Sequence, residues 1–159
     1  MGVLVKIAGV AGVALMAQGC VIIADGDDVQ MHRGSSYDAD DPMPMVIIDE
    51  RDVQREEAPP HGKIGMSTAY RMSELAPRRE MEFTKRTLHV GAAVGQHVLD
   101  HDEVYYVLSG TGRVFSDGEN AILRPGMAAY LYEGADVGIE QTGSEPLTII
   151  ISYPLDHRR

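Results

Sequence analysis

HVLDHDEVYYVLSGTG, residues 97–112, sets two imidazoles and a carboxylate against a short aromatic strand and a glycine turn. Residues 103–109, EVYYVLS, are largely β-branched or aromatic, the composition of a pleated, half-buried strand. A period of two puts Glu103, Tyr105 and Val107 on one face, read as inward, and Val104, Tyr106 and Leu108 on the other, read as facing a second layer. Ser109-Gly110-Thr111-Gly112 then closes the strand with residues that tolerate positive φ. A carboxylate on an inward face is costly to bury alone, so Glu103 is expected to meet His97 or the phenol of Tyr105. Desolvation raises such a group's pKa and an imidazolium lowers it, and a pair of this kind suits general acid–base work.

Outward from that stretch, from His61 onward, short apolar runs are broken by glycine and proline: STAYRM, EFTKRTLHV, GRVFS, AILR, MAAYLY, VGIEQT and LTIIISY. The turn signals between them, Ser116-Asp117-Gly118-Glu119 included, predict an all-β sandwich or small barrel. Residues 73–79 hold one candidate helical turn, which Pro77 limits.

The spacing within this all-β region is specific. Gly91 is followed after five residues by His97, then after one by Leu99, after three by Glu103 and after six by Gly110. This resembles the first motif of the cupin superfamily, in which two histidines and a glutamate hold a metal; Leu99 stands where the second histidine should be. Arg124-Pro125-Gly126-Met127 and residues 138–143, GIEQTG, are similar to the second motif. There Gln141 stands for the family's asparagine and Val137 for its histidine. The resemblance covers roughly residues 61–155 and implies a cupin-type small β-barrel, a jelly-roll-like double-stranded β-helix of two antiparallel sheets with a pocket inside one end.

The resemblance further implies a divalent metal, but with Leu99 and Val137 apolar the site is incomplete, since two protein donors leave most of the coordination shell to water. His101 shares the odd-numbered parity of His97 and Glu103 and could complete a set of His97, His101 and Glu103, unless Asp100 turns the chain. His89, at the end of the preceding strand, is another candidate. A metal-free pocket, a tight metal site and a purely packed interior stand as the three readings, the first leading. The expected pocket lining is His97, Leu99, His101, Glu103, Tyr105 and Val137.

The N-terminus reads MGVLVKIAGVAGVALMAQGC: an early lysine, an uncharged run, small residues and then Cys20, the only cysteine. That is the pattern of a secretory signal, and its run is short of the ~20 residues a mature spanning helix needs. Residues 16–20 resemble a bacterial lipobox, so Cys20 is the expected lipidation site and residues 1–19 the removed signal; an ordinary cleaved signal and a buried cytosolic segment are the competing readings. Two acyl chains give stable anchoring. With Val21 rather than aspartate behind the cysteine, outer-membrane sorting is favoured over inner. Residues 21–60 hold 11 acids against 3 arginines, which reads as an acidic tether over 20–60, with Val46-Ile47-Ile48 as one apolar island able to add an edge strand. The cupin domain is then residues 61–159.

A net charge of −10 with no basic cluster excludes nucleic acid as a partner. Two functions from different classes follow. One is a membrane-anchored extracytoplasmic module that binds a small molecule, such as a sugar or envelope metabolite, without a full metal site. The other is an isomerase, epimerase or metal-dependent oxygenase with His97, Glu103 and Tyr105 as catalytic residues. Cupin domains commonly pair through exposed strands, which adds a homodimer to the expectations.

Overall fold

The structure, a computed structural model, describes residues 20–25, 28–33, 43 and 45–155. The signal-like residues 1–19 lie outside the described residues. The chain divides into two compact units, Met1–Met45 and Val46–Arg159.

In the first unit, β1 (Cys20–Asp25) pairs antiparallel with β2 (Asp28–Arg33), in register from Cys20 opposite Arg33 to Asp25 opposite Asp28. Part of the segment read as an extended tether is therefore paired strand, consistent with the β-branched run Val21-Ile22-Ile23.

The second unit begins before His61. After a 3₁₀ turn at Glu50–Asp52, capped by the Asp49 carboxylate accepting from the Arg51 N–H, β3 (Gln54–Glu57) pairs with β4 (Ser67–Tyr70). Val53 and Pro59 are buried, so the expected boundary at residue 61 moves back to Val46. The reason is that Glu56 and Glu57, read from composition as tether charge, are strand residues answered by Thr68 and by Arg71 and Arg86. The Val46-Ile47-Ile48 island itself forms no strand; the edge strand is β3.

The remaining strands are β5 (Met81–Leu88), β6 (Ala93–Val98), β7 (Glu103–Ser109), β8 (Thr111–Ser116), β9 (Glu119–Leu123), β10 (Ala128–Leu131), β11 (Asp136–Thr142) and β12 (Leu147–Pro154). They form two antiparallel sheets, ordered β10-β7-β12-β5-β4-β3 and β6-β11-β8-β9. Asp117 and Gly118, both at positive φ, make the tight turn from β8 to β9. Residues 73–79 form turns without a helix.

The core lies between the sheets. Leu88, Val107, Leu147 and Ile149 of the larger sheet pack on Val94, Val114, Leu123 and Ile139 of the smaller. On β7 the expected alternation holds for Glu103, Tyr105 and Val107, which are buried. Tyr106 and Leu108, however, are 40% and 45% exposed and cover no second layer. Only one face of this antiparallel sheet is packed, and the other meets solvent.

Candidate functional site

The site lies at one end of the core, where the strand faces turn polar. Strand β5 shows why: Glu82, Thr84 and Arg86 are buried while Met81 and Phe83 are exposed, the reverse of an ordinary amphipathic strand. Inward polar groups at alternate positions leave a cavity of about 360 Å³ that packing does not fill. That is within the size range of small-ligand sites. His97, Leu99, His101, Glu103 and Tyr105 all line it. Val137 does not. It is fully enclosed in the core, opposite His97 on one side and Ser116 on the other.

His97 reaches the cavity through a bulge. Val137 pairs with His97 and Ile139 with Val94, so Gly95 and Gln96 together oppose the single residue Gly138. Strict alternation would put His97 on the face opposite Val94; the extra residue restores it to the same face, which is how a bulge re-aims a side chain. The bulge requires glycine, because a Cβ on residue 95 would stand 1.7 Å from the His61 carbonyl oxygen. That close approach brings His61 in, with its ring parallel to His97 within 3° and 3.5 Å away. Burial, then the neighbouring His97, holds the His61 pKa below its ordinary value. His97 Nδ1 donates to the Gly95 carbonyl at 3.0 Å, and since a carbonyl only accepts, neutral His97 carries its proton on Nδ1 and a lone pair on Nε2.

Glu103 is 6% exposed, and no hydrogen bond or ion pair to it exists among the described residues. Burial alone pushes its carboxyl up to about 7. The expected pairing of Glu103 with His97 is therefore not made: the two share a cavity, but His97 turns its Nδ1 to its own strand. The Tyr105 hydroxyl likewise makes no hydrogen bond, and burial followed by the nearby Glu103 carboxyl holds its pKa well above the usual phenol range.

His101 sits in the loop between β6 and β7. Its Nδ1 lies 2.6 Å from Asp100 Oδ1, its ring stacks on Tyr153 at 4.3 Å, and its Nε2 is buried without a partner. Asp100 does turn the chain, so strand parity does not govern His101; the stack on Tyr153 holds it at the cavity instead. His89 is elsewhere, 3.0 Å from Thr68 Oγ1 through Nε2, and does not line the cavity.

The residues present do not fit a tightly held metal. Leu99 and Val137 are buried hydrocarbons at two of the four family donor positions, and no cluster of three or more His, Cys, Asp or Glu side chains able to hold a metal occurs among the described residues. Two donors cannot fix a coordination shell.

Composition alone did not single out Arg71, Glu82, Arg86 and Tyr153 as lining residues. Arg86 donates through Nη1 to Ser67 Oγ and through Nη2 to Glu57, and Arg71 also donates to Glu57. Burial works against the charge of Glu57, but the hydrogen bonds from Arg86 and Arg71 win and lower its pKa. Thr84 donates to Glu82, and Arg79 Nε is 3.5 Å from the same carboxylate. The signal that could have found Tyr153 was its parity with Ile149 and Ile151. Gln141, the residue in the family's asparagine position, is structural: its Oε1 accepts from the Gly91 N–H, and its Nε2 donates to the carbonyls of Thr142, Gly143 and Glu145.

Two facing antiparallel sheets with a polar cavity at one end define a small β-barrel. Residues 85–153 match the cupin-domain family Cupin_2, and the fold is that of a cupin-type β-barrel. The fold is similar to that of a predicted oxalate decarboxylase from Thermotoga maritima, with 23% identity and a TM-score of 0.61 over 70% of this chain and 100% of that one. It is also similar to KdgF from Halomonas sp., with 19% identity and a TM-score of 0.57 over 72% and 97% of the two chains. An RmlC-like cupin from Shewanella frigidimarina has 17% identity and a TM-score of 0.51 over 67% and 88%. At these identities the likeness establishes the fold. No curated protein matches the sequence.

Proposed function

We propose that this cupin unit binds a small hydroxylated molecule in the cavity, without a full metal site, in a protein exported to the cell envelope and anchored through lipid on Cys20. The observation that carries the binding reading is the polar lining of the cavity: His101 Nε2 is buried without a partner, the Glu103 carboxyl and Tyr105 hydroxyl line the same space without hydrogen bonds, and His97 holds a lone pair on Nε2. Buried polar groups left without partners cost on the order of 1–3 kcal/mol each, and a hydroxylated ligand supplies those partners. The structural likeness to KdgF and to the oxalate decarboxylase supports a small-molecule site of this kind. Leu99→Trp, which fills the cavity from its wall, is expected to abolish the thermal stabilisation that polyol and sugar-acid mixtures confer on the parent. Equal stabilisation of both proteins by the same mixtures refutes the reading.

The second reading, a metal-independent isomerase or epimerase, is favoured by one observation. The cavity holds a base with its lone pair free, His97 Nε2, together with an acid, Glu103, whose carboxyl keeps its proton up to about pH 7. Proton exchange at a ligand carbon, followed by NMR in deuterated water, separates this enzyme from a binding module.

The signal-like run ending at the sole cysteine supports the envelope location. Cys20→Ser is expected to release the protein from the membrane fraction; unchanged fractionation with no acyl chains by mass spectrometry refutes the anchor. The outer face of the six-stranded sheet, with Phe83, Tyr106, Leu108 and Tyr130 exposed, supports pairing of two copies, which light scattering tests directly.

A further inference from the structure

In the cupin family the carboxylate at the Glu103 position faces a metal cation. Here two of the metal's other donors are replaced by hydrocarbon, yet the carboxyl remains on the inward face of β7, 94% withdrawn from solvent and lining the cavity. An ionised carboxylate in that position requires a positive charge, and the protein supplies none to it.

The cations around the cavity are committed elsewhere. Arg86 and Arg71 line the cavity too, but both converge on Glu57. Arg79 lies against Glu82, and Lys85 pairs with Glu50 while standing over the ring of Tyr70. None of them makes an ion pair with Glu103.

The cavity that Glu103 lines also carries aromatic rings: Tyr105, Tyr153 and the His101 ring stacked on Tyr153. A carboxylate beside aromatic rings suits an ammonium group, which gains both the ion pair and the attraction of the ring faces. An anionic ligand would instead confront Glu103, whereas the lining carboxylates Glu82 and Asp100 are answered by Arg79 and His101. His97 Nε2 adds an acceptor for a ligand hydroxyl.

We propose that the cavity selects a small hydroxylated amine, with Glu103 as the ion-pairing partner of its cationic nitrogen in the place a metal takes elsewhere in the family. The proposal rests on the binding reading above and specifies its ligand class.

Three probes of one ring size and different charge test it: glucosamine, glucose and glucuronate, titrated calorimetrically against the full chain. Glucosamine is expected to bind at least tenfold more tightly than glucose, and glucuronate most weakly. Glu103→Gln, close to isosteric, should abolish the preference for glucosamine over glucose, with a melting curve confirming that the variant is folded. Equal binding of glucosamine and glucose, a preference for glucuronate, or a glucosamine preference that survives Glu103→Gln overturns the amine assignment. Each of these outcomes leaves the binding reading standing if Leu99→Trp still abolishes the interaction. No binding by any probe overturns the assignment too, and the binding reading is then decided by the Leu99→Trp stabilisation test alone.

Discussion

Replacing Glu103 with glutamine should stabilise the protein, and by an amount that depends on pH. Burial raises the carboxyl from 4.5 in the unfolded chain to about 7 in the fold. Below pH 4.5 both states hold the proton, and the group contributes no pH-dependent term. Between 4.5 and 7 the unfolded chain releases a proton that the fold retains, so stability falls as pH rises, and above 7 the loss is complete. At 1.36 kcal/mol per pKa unit, a rise from 4.5 to about 7 corresponds to about 3 kcal/mol at pH 8. Glutamine has the same shape and no charge to desolvate. Glu103→Gln should therefore melt close to the parent at pH 4.5 and on the order of 10 °C above it at pH 8, taking about 4 °C per kcal/mol for a domain of this size. Thermal unfolding followed by circular dichroism from pH 4.5 to 8.5 reads this difference. Parallel curves for the two proteins would refute the claim that Glu103 is buried without a counter-charge.

Gly95→Ala should cost on the order of 2 kcal/mol, since the new methyl group collides with the His61 carbonyl and the strand cannot keep its bulge; chemical denaturation measures the cost, and loss of the ring-current shifts of His61 and His97 shows that the stack has opened. Gln141→Ala should destabilise by about 3 kcal/mol, because the Gly91 N–H and the carbonyls of Thr142, Gly143 and Glu145 lose the side chain they share. An unfolding midpoint unchanged by that substitution would show that the side chain pins nothing. The parent should purify with well under one equivalent of transition metal by elemental analysis, and Leu99→His with Val137→His should raise the occupancy. Because Val137 is fully enclosed, the double variant should also lose about 1–3 kcal/mol of stability.

The strands of this protein are legible where alternation is regular. Residues 103–109 read as one strand and form β7 over the same span. β6 is not among the apolar runs: AVGQHV carries glycine, glutamine and histidine in place of an apolar alternation, and its pairing with β11 is a long-range event with no local trace. β3 was missed for a related reason. Its Arg-Glu-Glu composition reads as solvated charge, and only the arrival of Arg71 and Arg86 makes it part of a sheet. On β5 the polar set Glu82, Thr84 and Arg86 faces inward, against the usual rule, because the sheets part there around a cavity.

Period-two alternation determined, from the sequence alone, that Glu103 and Tyr105 point inward, and the resemblance of the motif spacing to cupins implied the barrel and the places of Leu99 and Val137. Those properties depend on neighbours in the chain or on residue identity. Only the tertiary structure decided that His97 reaches the cavity through the Gly95–Gln96 bulge, that His61 stacks on it, and that Val137 is withdrawn into the core. It also decided that the arginines are held by Glu57 and leave Glu103 without a counter-charge. Partners of this kind lie 14 to 36 residues apart along the chain, and nothing in local propensity or periodicity encodes which of them meet.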